Sequence, residues 1–324
     1  MGWVLMAGSA AAPVAAQAPT HVDEAVTQAY RSAEPLTSWS FPKLRRAIPE
    51  LKDLQPSDDQ SRLPALLRNV AANLAAFRQN IFNTSSTENI DERRTANTSH
   101  TIDELALLGS SDVPVASADE DREQFNYLVL PDAASRSGIR EYRTDSGGQE
   151  RNRKGPAEIF ARTIGFVALP FFFAADAQRL SSFRYLGSQA LNGRATEVVA
   201  FAEHVEADAV RGQWVSGAIS VPLLLQGVAW IDPVTWEILR LRTDLLAPQP
   251  VAGLRRLTTV AVYAEVRFQN RPLAYCLPQE VQVVLDAGGY TFINRHRYSN
   301  YQVFNVQTQQ KVEAPKQAPQ PPKP

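Results

Sequence analysis

Trp236-Glu237-Ile238-Leu239-Arg240-Leu241-Arg242-Thr243-Asp244-Leu245-Leu246 is the stretch that decides the fold of this chain. Leu239, Leu241 and Leu245 alternate with Arg240, Arg242 and Asp244. Side chains of a strand point to opposite faces in turn, so this is a strand with one dry and one wet face. The pattern repeats on both sides. Downstream, Val260, Val262, Ala264, Val266 and Phe268 alternate with Thr259, Tyr263, Glu265 and Arg267, and Val281, Val283 and Leu285 follow suit. Gly288-Gly289 then turns the chain into Tyr290 to Tyr298. Upstream, Asn192-Gly193 joins Phe183–Gln189 to Ala195–Val205, and both residues tolerate the positive φ of a tight hairpin. Asp232-Pro233 joins Leu223–Ile231 to the opening stretch, with proline presetting the turn. These connections are too short for parallel crossovers, so the second half reads as one strongly curved antiparallel meander.

Before the meander lies the clearest helix. Leu63, Leu66, Leu67, Val70, Leu74, Phe77 and Ile81 recur at three- and four-residue steps, with Arg68, Asn69, Asn73 and Gln79 on the other side. Ser61 is placed to cap it, and Pro64 is tolerated in a first turn. The fold class expected is α+β: a half-barrel of antiparallel strands covered by this N-terminal amphipathic helix. The domain reading is a signal peptide over 1–18, a short helix and coil over 19–60, and a half-barrel domain over 61–310. Within it, 83–121 is a polar insert, read as a solvated connection with at most one early strand, or as a cation site at Asp119-Glu120-Asp121. Strands follow at Phe125–Leu130 and Ile139–Arg143; Gly155 to Phe173 is a helix candidate ending in Phe171-Phe172-Phe173. A Pro-, Lys- and Gln-rich tail over 311–324 is expected to be disordered.

The apolar run from Gly2 to Ala16 followed by Ala16-Gln17-Ala18 fits a secretory signal with a small-residue cleavage site, although no Lys or Arg precedes it. The run is too short to span a membrane. A periplasmic or secreted location is expected. Across 324 residues, 33 Lys+Arg face 34 Asp+Glu, so no clustered positive charge is available for nucleic acid. At 44% hydrophobic and 21% charged residues the chain builds a full core. One cysteine, Cys276, makes neither an internal disulfide nor a thiolate metal cage.

Catalytic patterns are missing. The sequence has no G-x-S-x-G elbow, no H-E-x-x-H, no phosphate loop and no dinucleotide fingerprint, and Gly212-Gln213-Trp214-Val215-Ser216-Gly217 has the wrong spacing. His21, His100, His204 and His296 are scattered, without an i,i+2 pair for a metal. Arg295 and Arg297 share a strand face beside His296, which reads as a solvated face or a small anion site. Cys276 has no basic neighbour to activate it and reads as packed. The expected catalytic residues, metal ligands and cofactors are therefore none.

What stands out is apolar surface: the dry face of the sheet, the helix stripe, and Phe166-Val167-Ala168-Leu169-Pro170-Phe171-Phe172-Phe173. A curved sheet closed by a helix leaves room for a lipid or acyl chain, at about 0.8 kcal/mol per buried methylene and with no motif required. Candidate lining residues, chosen by expected face, are Leu74, Phe77, Phe171, Phe172, Trp230, Leu239 and Val262. The first reading is a non-enzymatic exported protein binding a lipid or other apolar ligand. Two alternatives stand beside it: a protein-interaction or envelope-sensing module with a filled interior, and a hydrolase without a recognisable motif, relying on Ser216 or His204.

Three further segments carry a resemblance. Phe183-Arg184-Tyr185-Leu186-Gly187 with Leu191-Asn192-Gly193-Arg194, Gly227-Val228-Ala229-Trp230-Ile231-Asp232 with Glu237-Ile238-Leu239-Arg240, and Leu277-Pro278-Gln279-Glu280-Val281 are similar to the LolA/LolB-like lipoprotein-carrier superfamily of unclosed β-barrels. Residues 61 to 306 carry that layout. The resemblance implies neighbouring hairpins of a half-barrel; an envelope protein is the partner expected under the interaction-module reading. The Arg297 to Tyr301 segment also resembles that of uncharacterised secreted bacterial proteins.

Overall fold

A computed structural model of the chain describes residues 2–5, 21–96, 118–151, 162–205, 212–216, 219–269 and 273–304. In chain order the elements are β1 (Gly2–Leu5), α1 (His21–Arg31), α2 (Phe41–Ala47), β2 (Gln55–Pro56), α3 (Leu63–Asn80), β3 (Thr84–Ala96), β4 (Ala118–Pro131), β5 (Ile139–Thr144) and β6 (Arg162–Ile164). They continue with β7 (Ser181–Leu191), β8 (Arg194–Glu203), β9 (Gly212–Ser216), β10 (Ile219–Leu223), β11 (Leu225–Ile231), β12 (Ile238–Leu245), β13 (Leu254–Arg267), β14 (Ala274–Ala287) and β15 (Tyr290–Val303). Eleven strands form one open sheet in the order β2-β7-β8-β11-β12-β13-β14-β15-β3-β4-β5, all its neighbours antiparallel. The half-barrel expectation holds: the sheet curves and does not close. A smaller sheet, β10-β9-β1-β6, stands apart from it, with β1 and β6 parallel.

The turns form where their chemistry requires. Asn192 and Gly193 have φ of 51° and 80°, and Gly288 and Gly289 have 58° and 82°, which suits a right-twisted two-residue hairpin. At Asp232-Pro233 the Asp232 Oδ1 accepts from the amides of Val234 and Thr235, at 2.7 and 2.8 Å, and closes the turn with a side chain. α3 buries Leu66, Val70, Ala71 and Leu74 against the concave face. Ser61 is not its cap: Arg62 holds the N-cap position in a helical conformation, while the Ser61 hydroxyl and amide both bond to Asp59.

Two differences from expectation matter. Residues 84–96 and 118–121, expected to lie in a polar connection, belong to the long strands β3 and β4, which pair with β15, β5 and each other; the strand expected at Phe125–Leu130 is the second half of β4. Their charges hide the alternation but answer one another across the sheet, Arg94 with Asp119, Arg93 with Glu120 and Arg297 with Asp91. The second difference is the outer face, expected wet. Leu36, Leu44, Ile48, Leu51 and Leu54, carried by α2 and the short 3-10 turns around it, pack on Leu186, Leu191, Val198, Ala200, Val228 and Trp230. Every residue of β11 is consequently buried. Polar pins hold this outer layer. Leu36 N–H donates to Gln226 Oε1 at 2.7 Å, Gln189 Nε2 to the Glu50 carbonyl at 2.7 Å, and Arg184 to the Trp39 carbonyl at 2.6 Å. Each leucine so covered contributes about 1.5–3 kcal/mol before entropy is counted.

β2 crosses closest at Gly187, where β7 bulges against β8. Gly187 has φ +128°, and a Cβ there would sit 2.0 Å from the Gln55 carbonyl oxygen. Gly187→Ala is expected to cost more than about 3 kcal/mol and lower the melting midpoint by roughly 6 °C or more. Gly193→Ala, with positive φ but open space around it, should cost about 1 kcal/mol. Thermal unfolding of the two variants followed by circular dichroism checks the ordering.

Candidate functional site

Where α3 crosses the concave face, it leaves a cavity of about 190 Å³. α3 supplies Asn73, Leu74, Ala76, Phe77 and Asn80; the turn and 3-10 segment above it, 167–173, supply Val167, Pro170 and Phe171; and β12 to β14 supply Ile238, Tyr263, Ala274, Tyr275 and Cys276. Glu237 and Leu273 stand at the rim, Leu273 48% exposed. Phe77 meets Phe171 and Tyr275 edge-on, with ring centres 6.1 and 6.0 Å apart. The wall hydroxyls are engaged: Tyr275 donates to the Asn80 carbonyl at 2.9 Å and Tyr263 to the Phe166 carbonyl at 2.8 Å. Asn73 ties α3 to the Asp232-Pro233 turn by a bond to the Thr235 carbonyl, 3.1 Å. Burial, chiefly, raises the pKa of the Cys276 thiol, with the Glu237 carboxylate adding to it; the sulfur lies 3.7 Å from the Ile238 carbonyl.

The seven residues expected to line a ligand site divide. Leu74, Phe77 and Phe171 meet at this cavity. Phe172 turns away, its ring 4.9 Å from Phe201 in the packed core. Trp230 and Leu239 lie on the outer face under the α2 layer, and Val262 alternates with Ala261 and Tyr263, which face α3. A bulge accounts for Leu239: Trp230 pairs with Arg240 while Ile231 pairs with Ile238, so Leu239 is the extra residue and breaks the alternation. Tyr263, Tyr275 and Cys276 were not foreseen, because Tyr263 sat on the side of β13 read as wet.

Behind the cavity lies a polar cluster built on four neighbouring strands. Arg143 of β5 grips both oxygens of Glu88 of β3, which also accept from Tyr298 Oη at 2.7 Å and face His296 Nδ1 at 2.9 Å. Glu141 of β5 accepts from the Tyr127 hydroxyl and from the amides of Val167 and Ala168, both at 2.9 Å. Those amides belong to the segment that roofs the cavity, so Glu141 fixes the roof. Burial disfavours the Glu88 anion, yet the Arg143 charge, its hydrogen bonds and His296 outweigh it and hold the carboxyl at about 2. At Glu141 burial wins: the Tyr127 hydroxyl, the two amides and Arg143 favour the anion but leave the carboxyl pushed up to about 7.

Neither this cluster nor the surface charges make a catalytic centre. Thr163 Oγ1, His296 and Glu88 line up like a hydroxyl–imidazole–carboxylate relay. At 3.5 Å, however, the first contact is long, His296 and Glu88 are fully buried, and Phe166 lies against the imidazole. The anion-site alternative is filled from within, since Arg295 pairs with Glu280 at 2.8 Å and Arg297 with Asp91 at 2.5 Å. Glu92, Asp121 and Glu123 bring carboxylate oxygens within 4.8 Å of one another, amid the arginine pairs that cross β3 and β4. His204 is exposed at the end of β8 and does not line the cavity.

The raised Glu141 pKa sets a pH dependence with a definite sign. The folded chain keeps the proton that the unfolded chain gives up near 4.5, so this group's contribution falls as pH rises from about 4.5 to 7, by on the order of 3 kcal/mol. Arg143 and Glu88 stay charged over that interval, and Tyr127 and Tyr263, raised by burial, stay neutral. Glu141→Gln removes the dependence. Denaturant unfolding at pH 5 and pH 7.5 should show wild type losing its advantage over the variant at the higher pH.

No family model matches the chain, and no curated protein matches it. Among solved structures, the chain is similar to a domain described as an outer-membrane lipoprotein-sorting protein from Vibrio parahaemolyticus. The identity is 11%, 76% of this chain and 93% of that one are covered, and the TM-score is 0.30. It is similar to a DUF1329 family protein from Desulfovibrio piger at 8% identity, over 77% and 96% of the two chains, TM-score 0.35. It is similar also to a LolA superfamily protein from Nitrosomonas europaea at 13% identity, over 74% and 94%, TM-score 0.29.

Proposed function

We propose that this chain is a non-enzymatic, exported binding protein that holds one small apolar ligand, an alkyl chain or a ring, in the cavity under α3. The cavity itself carries the reading. At about 190 Å³ and walled by Leu74, Phe77, Phe171 and Tyr275, it is larger than an apolar cavity of about 150 Å³ that takes up benzene. Its rim at Leu273 gives the ligand a way in. A filled interior, which the envelope-module reading requires, fits this space less well. The hydrolase reading, which relies on Ser216 or His204, has less support because neither residue is among those lining the cavity, and the Cys276 thiol that does line it has its pKa raised by burial. Among the described residues no helix is long and apolar enough to cross a membrane. Processing after Ala18 would remove β1 from the smaller sheet, and sequencing the N-terminus of the chain from a periplasmic fraction tests that step.

Ala274, at the cavity edge, offers a direct probe. Ala274→Phe places a ring in the space and is expected to reduce uptake of an apolar dye such as 1-N-phenylnaphthylamine at least tenfold, with little change in melting. Native mass spectrometry of the wild type should show a bound apolar molecule or accept an added one. Absence of dye and ligand from the wild type, or full uptake by Ala274→Phe, overturns the proposal.

A further inference from the structure

Resting on that reading, the charge at the rim narrows the ligand. We infer that the cavity selects single-chain amphiphiles with a cationic head over those with a carboxylate or phosphate head, and that Glu237 makes the selection. Among the described residues that line the cavity, Glu237 is the one that carries a charge. It is half-buried at the mouth, its Oε2 accepts from the Thr235 hydroxyl at 2.9 Å, and among the described residues no cation pairs with it. Two described arginines, Arg78 and Arg194, are committed elsewhere. Arg78 lies 5.0 Å over the Phe171 ring, with its Nε on the Ser137 carbonyl and its Nη2 3.8 Å from Asp176, and Arg194 is paired with Asp232.

The field inside agrees in sign. Glu237, Glu265 and Asp232 disfavour an anionic Cys276, against one opposing arginine, and Glu141 disfavours an anionic Tyr263. Both side chains are cavity wall. An alkyl chain lying on Leu74 and Phe77 would bring its head to the rim, where an ammonium meets the Glu237 carboxylate and an anion is repelled. The volume, little more than one ring-sized site, admits one chain rather than two.

Displacement of the apolar dye by octylammonium, octanol and octanoate at pH 7.5 tests this. Octylammonium should compete about tenfold better than octanoate at low salt, the size expected of a unit charge a few ångströms away in a partly solvated mouth. The ratio should shrink in 0.5 M NaCl. Glu237→Gln should bring it close to one, and Glu237→Lys should invert it, with melting curves confirming that both variants fold. If none of the three ligands competes, the ligand-holding reading itself fails. If all compete but octanoate equals or exceeds octylammonium, or if Glu237→Lys leaves the ratio unchanged, only the charge assignment falls.

Discussion

Three donors converge on one buried carboxylate, and the cavity depends on them. Glu141 accepts from Tyr127 on the neighbouring strand and from the amides of Val167 and Ala168 on the segment above. An amide buried without an acceptor costs about as much as a lost hydrogen bond or more, so the roof has one favoured position over the sheet. Tyr263 reinforces it from below by donating to the Phe166 carbonyl. The aromatic run 171–173 then has nowhere to spread. Phe172 and Phe173 pack on Phe201, whereas Phe171 turns toward α3 and becomes cavity wall.

Glu141 holds this place as a carboxyl whose pKa burial pushes up to about 7, so below that pH it sits there uncharged. Beside it the Glu88–Arg143 pair, wholly buried and bidentate, links β3 to β5 across β4, with His296 and Tyr298 of β15 around it. Such a pair adds little net stability compared with a well-packed apolar substitute, but breaking it leaves an uncompensated buried charge. It therefore acts as a register pin: β15, β3, β4 and β5 have to be aligned for these groups to meet. The long hydrophilic strands β3 and β4, which lack a strong apolar alternation, are held in register by this cluster, by the Arg94–Asp119 pair at the end of the same face, and by the arginine–carboxylate pairs on the opposite, exposed face.

Covering both faces of β8 and β11 has a functional consequence. The outer layer carried by α2 takes up Trp230 and Leu239, so the concave face can be given over partly to a cavity without leaving the sheet short of core. The bulge at Leu239 switches that side chain outward while Ile238 and Leu241 stay inside. A sheet with one buried face would have had to fill the same space.

Local chemistry in the sequence determined the hairpins, the antiparallel order and α3. Asn192-Gly193 and Gly288-Gly289 accept the positive φ of tight turns, and the leucine spacing from 63 to 81 forms a helical stripe whatever surrounds it. Leu74, Phe77 and Phe171 were legible for the same reason, as apolar residues of elements with a clear inner side. Tertiary structure alone decided the rest. Ile139, Glu141 and Arg143 share one face of β5, and nothing in the order of the residues says that a carboxylate and a guanidinium go inward; only partners from β3, β4 and β15 make that affordable. The faces of Trp230, Leu239 and Val262 likewise depended on a bulge and on a second layer from residues 36–54, both set by long-range packing that a period of two does not encode.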